Sequence, residues 1–203
     1  MTSLWLRTAP RIAIDDAPPP ASADVVVAGA GLTGLSLAVM LAQAGARVAV
    51  LEARFVGAVT TGNTTGKLSL LQGSVYGELR SRNDDEAVAA YGEAQRAGMS
   101  WLLGTVGAVD GCAVRAPSVT WATSDSGVQS LEEEFEALAV AGIVPRVTTE
   151  DGPVASLPFA PRAALVLDDQ AQLQPMRVLG ELVRQARALG VQIVEGCRVT
   201  GAE

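Results

Sequence analysis

The stretch from Val25 to Ala46 runs for 22 positions without a charged residue, and what interrupts it decides the fold. By length alone it could cross a membrane as a helix. Its opening, VVVAGAGLTG, argues otherwise: three β-branched residues and then Gly29, Gly31 and Gly34 read as a strand, a tight turn and a helix start. Leu35, Ala38, Leu41 and Ala42 recur at helical spacing, and Gly45 closes that helix. Arg47 to Glu52 is a second apolar strand that meets its first acid at its carboxyl end. Two parallel strands joined through a helix make a right-handed βαβ unit. Val25 to Ala28 is expected to be buried on both faces.

GAGLTG, Gly29 to Gly34, matches the pattern GxGxxG. That pattern is weak by itself. Here it follows a strand, opens a helix, and precedes an acid, Glu52, at the tip of the next strand. Gly29 would permit the turn, Gly31 would let backbone approach a pyrophosphate, and Gly34 would let the helix lie close to the strand. The helix start offers free N–H groups and its positive dipole end to a diphosphate. Glu52 would accept hydrogen bonds from ribose hydroxyls and repel a 2′-phosphate, which disfavours NADP. The pattern therefore points to a dinucleotide and leaves FAD and NAD open.

Composition narrows the chemistry further. The chain has 203 residues, a net charge of −7 and no His. An acidic chain is a poor partner for nucleic acid. Without imidazole, a Ser/His/Asp triad, a His-bearing zinc site and a Rieske cluster cannot be built from this chain alone, and no metal site is expected. Cys112 and Cys197 form no CxxC pair, and the N-terminus carries charges and prolines where an export signal needs an apolar core. A cytoplasmic protein without membrane contact is expected.

The rest of the chain divides by style. Residues 1 to 22 read as an extended arm stiffened by Pro18, Pro19 and Pro20 and anchored by Trp5. A Gly- and Thr-rich loop runs from Gly57 to Lys67. Helical stretches follow from about Val75 to Val106, broken near Asn83, which with Glu86 looks like a cap and its partner. Ser118 to Thr123 and Arg162 to Leu167 read as strands, and a helix opened by Ser126 and Gln129 lies between them and closes at Gly142. Pro175 starts a helix whose stripe is Met176, Leu179, Leu182, Val183, Ala186 and Leu189. Strands are expected at Val191 to Glu195 and Arg198 to Thr200, the former as a third parallel strand of the first sheet. The acidic runs at Asp84 to Glu86 and Glu132 to Glu134 read as helix starts. Asp168 and Asp169 read as a turn, and Trp101 and Trp121 as packing residues.

Three segments resemble the FAD-dependent oxidoreductases of the D-amino-acid oxidase type, which include glycine oxidase-like and γ-glutamylputrescine oxidase-like enzymes. They are ADVVVAGAGLTGLSLAVMLAQAGARVAVLEA, VGAVTTGNTTGKLSLLQG and DDQAQLQPMRVLGELVRQARALGVQIVEGCRVTG, and they are most similar to a branch with a C-terminal Rieske domain. The resemblance implies an α/β fold: a Rossmann-like FAD-binding domain from 23–80 and 174–203, incomplete within this chain, with an inserted α+β substrate lobe over 81–173. It implies that Gly29, Gly31, Leu32, Thr33 and Gly34 surround the FAD pyrophosphate and that Glu52, Ala53 and Arg54 line the adenosine ribose. It places Thr60, Thr61, Gly62, Thr64, Thr65 and Gly66 at the diphosphate and flavin side, and the Val199 backbone against adenine.

The implied activity is oxidation of the C–N bond of an amine or amino acid by hydride transfer to flavin, with the remaining C-terminal half of the flavoprotein as partner. No residue is assigned as catalytic base. Lys67 reads as a solvated lysine, with a place near the flavin as the lesser alternative, while Gln72 and Gln174 stand where many relatives have His, so proton handling is not inherited there. A catalytically inactive dinucleotide-binding remnant and an NAD-dependent dehydrogenase are the competing expectations.

Overall fold

The structure is a computed structural model and describes residues 3–201. It opens with helix α1 (Leu4–Thr8), strand β1 (Val25–Ala28), helix α2 (Leu32–Gln43) and strand β2 (Val48–Leu51). A 3-10 turn at Thr61–Asn63, strand β3 (Lys67–Leu68) and helices α3 (Val75–Arg80) and α4 (Asp85–Val106) come next. Strands β4 (Ala113–Arg115) and β5 (Ser118–Ala122) lead to helix α5 (Asp125–Val140), strand β6 (Arg146–Thr148) and a 3-10 turn at Gly152–Ser156. The chain closes with β7 (Ala163–Leu167), β8 (Ala171–Leu173), helix α6 (Pro175–Ala188) and β9 (Gln192–Val194). Two compact units result. The first runs to Gly66, takes in Ala108–Ala113 and resumes at Leu173, and the second comprises Lys67–Gly107 and Val114–Gln172.

The first unit is built on a parallel sheet of order β1-β2-β9. Central β2 buries Val48, Ala49 and Val50, as an apolar run flanked on both sides should. In β1 only the Val27 side is covered, and Val26 is 55% exposed, so the expectation of burial on both faces fails at this edge strand. Helix α2 turns Leu35, Ala38 and Val39 inward, and α6 buries Val178, Leu179, Leu182, Val183 and Ala186. Each fully buried Leu or Val contributes about 2 kcal/mol of transfer free energy. Leu189 falls outside this stripe and is exposed. The third parallel strand forms as expected at β9, whereas residues 198–200 form no strand. Glu181 is buried on α6 and is held by Arg184 at 2.6 Å and Gln185 at 2.7 Å.

The arm departs from the extended reading only at its start, and the stretch with Pro18, Pro19 and Pro20 forms no helix. Ser3 caps a helical turn, Leu4–Thr8, by accepting from the Leu6 N–H. The Ser3 hydroxyl also donates to the Gly62 carbonyl, and the Trp5 indole N–H donates to the Thr64 carbonyl at 2.6 Å. The arm is thus pinned to the Thr-rich loop.

The second unit contains the antiparallel sheet β5-β7-β6, with registers such as Thr120↔Leu165 and Val147↔Leu165, and β3 pairs antiparallel with β8. Tyr76, Val88, Leu131, Leu138 and Leu165 form its core. Because Tyr76 is fully buried there, α3 belongs with this unit, and the boundary falls after Gly66 rather than after residue 80. Asp84, not Asn83, caps α4 by accepting from the Ala87 N–H at 2.9 Å, while Asn83 donates back to the Leu79 carbonyl. Likewise Ser124 rather than Ser126 caps α5. Trp121 is 47% exposed and packs beside Phe159 with ring centroids 5.6 Å apart, on the surface rather than in the core.

The second acidic run lies in the middle of α5 rather than at its start. Glu134 is buried, its Oε2 accepts from the Gly77 N–H at 2.7 Å, and its Oε1 has no hydrogen-bond partner. Burial pushes its carboxyl pKa above the ordinary value, against hydrogen bonds from the Gly77 and Tyr76 backbones. Since the folded pKa is raised, the stabilising effect of protonation is complete below the unfolded-chain value and is lost as pH rises through the folded one. Glu134→Gln should therefore stabilise the protein at neutral pH and lose that advantage in acid. Denaturant unfolding of both proteins at several pH values checks this, and a pH-independent difference would contradict it.

Candidate functional site

At the carboxyl ends of β1 and β2 the first unit forms a cleft of about 480 Å³. Eight of the expected residues line it: Gly29, Gly31, Leu32, Thr33, Gly34, Glu52, Thr60 and Thr61. The turn that opens it is dictated by glycine. Gly29 adopts φ +103°, a conformation that costs an L-residue dearly. A Cβ on Gly34 would stand 2.0 Å from the Gly29 carbonyl oxygen and 3.3 Å from Val27, so only glycine lets α2 start this close to β1. Gly31 is the N-cap of α2 and brings no capping side chain, and its own Cβ would meet Thr61 Oγ1 at 3.2 Å.

Glu52 ties the cleft together. Its Oε2 accepts from the Ala30 N–H at 2.9 Å and its Oε1 from the Arg54 N–H at 2.8 Å. It is 9% exposed, so it is not a solvated strand end. A carboxylate offers about four lone-pair sites, so two remain for hydroxyl donors entering the cleft. On the opposite side Thr61 Oγ1 accepts from the Leu32 N–H at 3.0 Å, occupying one of the free amides of the helix start. The Gly57 N–H donates to the Ala30 carbonyl, and the Gly62 N–H to the Gly57 carbonyl, which fastens the loop to the glycine turn.

The other expected residues lie off the cleft wall. Ala53 and Arg54 follow Glu52, and the Arg54 carbonyl accepts from the Gly196 N–H. Gly62 is buried, with the Gly57 carbonyl 2.2 Å from where its Cβ would be and Leu6 Cδ2 at 3.0 Å. Thr64 serves the Trp5 indole through its carbonyl, Thr65 is exposed, and Gly66 at φ +76° sits against the Leu173 carbonyl. Val199 is 43% exposed in the irregular segment after β9. Lys67 is exposed on β3; Gln72 binds Tyr91 and Gln95, and Gln174 caps α6. The structure adds Ala28, Gly57, Ala58 and Val59 to the lining. Gly57 carries a readable signal, a glycine shortly after the strand-end acid with φ +76°. Ala30 contributes only its backbone amide, which residue type does not reveal.

A glycine turn with a positive φ at Gly29 and no room for a Cβ at Gly34, a helix start and a buried acid at the neighbouring strand tip form a cradle suited to a diphosphate and its ribose. Comparison with known proteins identifies the family. The family model described as FAD dependent oxidoreductase matches residues 24–203. The chain belongs to this family. It is 29% identical over 174 residues to YhfW of Bacillus subtilis (strain 168), whose name describes a Rieske 2Fe-2S iron-sulfur protein, covering 85% of this chain and 33% of that one.

Among solved structures, L-amino acid deaminase from Proteus myxofaciens in complex with anthranilate superposes with a TM-score of 0.69 at 20% identity, over 97% of this chain and 43% of that one. Glycine oxidase from Geobacillus kaustophilus gives 0.59 at 19% identity, over 86% and 46%. At such identities the likeness is one of fold. The chain spans about a third of the length of YhfW and under half of either structure. Among the described residues there is no group of three or more Cys, Asp or Glu able to hold a metal ion, and no helix is long and apolar enough to cross a membrane.

Gly34→Ala isolates the close approach. An added methyl against a backbone oxygen cannot escape by changing rotamer, so the strain should outweigh the helix-propensity gain of about 1 kcal/mol and leave a net loss of about 2 kcal/mol. Chemical denaturation measures it, and a variant as stable as the parent would show that α2 does not abut the Gly29 carbonyl.

Proposed function

We propose that this chain holds the diphosphate and adenosine ribose of FAD, within a flavoprotein that oxidises the C–N bond of an amine or amino acid. The observation that carries the reading is the Glu52 carboxylate, buried at the strand tip and already bonded to the amide inside the glycine turn, with acceptor capacity left for ribose hydroxyls. Gly29, Gly31, Leu32, Thr33 and Gly34 would present backbone N–H groups to the diphosphate, and Thr60 and Thr61 would close over it. Ala53, Arg54 and the Val199 backbone would extend the adenosine side. Gly62, Thr64, Thr65 and Gly66 would shape the loop toward the flavin.

When bound, the flavin supplies the redox step, taking a hydride from the carbon that bears nitrogen. The chain's own part is to bind, orient and exclude water. Leu32 N–H, now held by Thr61 Oγ1, is the amide that a phosphate oxygen would share or take over. Glu52 would also repel a 2′-phosphate, which sets the preference for FAD over NADP-type nucleotides. We assign the second unit to shaping the pocket of a small amine or amino-acid substrate, with further segments of the flavoprotein completing the flavin site. The L-amino acid deaminase and glycine oxidase among the structural neighbours support this class of substrate.

The cradle is tested with ADP, which carries the portion of FAD that the cleft would hold. Calorimetric titration should show ADP binding that Glu52→Ala weakens about tenfold or more, as expected for loss of charge-assisted hydrogen bonds. Adenosine 2′,5′-bisphosphate should bind the parent less well than ADP and recover in Glu52→Ala. Unchanged ADP affinity in the variant would overturn the placement. The reaction class is tested on FAD-loaded protein by anaerobic loss of visible flavin absorbance on adding amino acids or amines.

A further inference from the structure

A different cavity, about 540 Å³, lies wholly within the second unit. Leu70, Met99 and Leu103 give it an apolar side. Two arginines line it as well, half-buried Arg96 from α4 and exposed Arg115 from β4. Arg96 Nη1 donates to the Ala141 carbonyl at 2.8 Å, and Arg115 Nη1 donates to the Asp169 carbonyl at 2.6 Å. These neutral partners fix the forks in place without cancelling their charge. Among the described residues neither Arg96 nor Arg115 has an ion-pair partner, whereas Arg80, Arg146 and Arg162 of the same unit pair with Asp85, Asp168 and Asp125.

The wall behind them is braced. Gln170 is buried with both ends of its amide engaged, Oε1 accepting from the Leu70 N–H at 2.8 Å and Nε2 donating to the Asp168 carbonyl at 2.9 Å. Asp169, at φ 59°, is the one non-glycine among the described residues with positive φ, and it also lines the cavity. An acidic chain that sets two Arg side chains without an ion-pair partner in one concavity beside an apolar wall, against the single carboxylate of Asp169, has the makings of a carboxylate site, because the planar fork matches a carboxylate.

We propose that this cavity binds a small carboxylate on a short aliphatic chain, with the carboxylate at Arg96 and Arg115 and the chain against Leu70, Met99 and Leu103. The carboxylate of Asp169 on the same wall opposes the ligand and limits its affinity. The site rests on the geometry of the second unit alone and is independent of the flavin reading.

The probe is 4-methylpentanoate, titrated calorimetrically into the full chain, with 4-methylpentanamide and inorganic phosphate in parallel. The carboxylate should bind saturably and more tightly than either comparison ligand. Arg115→Gln should weaken it about fivefold. Arg82→Gln, which removes the same charge from an exposed position of the same unit outside the cavity, should leave it unchanged. Asp169→Asn keeps a residue suited to the left-handed backbone and should tighten binding about threefold, a gain that misfolding cannot produce. Absence of saturable binding to the parent, equal losses in the two Arg variants, no gain in Asp169→Asn, or amide or phosphate binding as tight as the carboxylate would each overturn the proposal.

Discussion

The contact on which the first unit turns is the pair of hydrogen bonds made by one carboxylate. Glu52 reaches from the end of β2 to the amide of Ala30 inside the glycine turn and to the amide of Arg54 at its own exit. It thereby fixes the distance between two strand tips and orients the amides of the turn. A buried carboxylate needs such donors, because desolvation without them would cost several kcal/mol. On the function proposed above, the same bonds would hold it in position for a ribose, so the group that stabilises the cleft would also be the group that recognises the ligand.

Backbone shape does most of the remaining work. Gly29 supplies a positive φ, Gly34 supplies the missing methyl that lets α2 approach β1, and Gly57 lets the following loop fold back over α6. Thr61 then covers one amide of the helix start. The cleft is therefore made chiefly of main-chain donors, which suits a diphosphate.

Much of this was legible in the residues. The βαβ unit, the turn and the strand-end acid follow from hydrophobic runs and glycine spacing, and β9 was readable as the third strand from the amphipathic helix before it. What escaped has identifiable causes. Caps shifted by one or two residues, to Asp84 and Ser124, because several neighbouring side chains could each serve and only the local turn chooses among them. The helical turn at Leu4–Thr8 depends on Ser3 and on tertiary contacts with the loop at Gly62 and Thr64. Glu134 looked like dipole chemistry at a helix start, yet it lies mid-helix and binds the Gly77 amide, a partner 57 residues away. Ala30, Ala58 and Val59 line or bind the site through their place in the backbone, which no residue type advertises.

The anchoring of the arm bears on the order of assembly. Ser3 and Trp5 reach partners 59 residues ahead, whereas β1, α2 and β2 are neighbours in sequence. Closing the longer loop carries the larger entropic penalty, and its acceptors, the Gly62 and Thr64 carbonyls, are in place only after the Thr-rich segment has taken shape. Ser3 and Trp5 are thus among the last residues to find their place, and their arrival latches a loop that the glycine turn has already positioned.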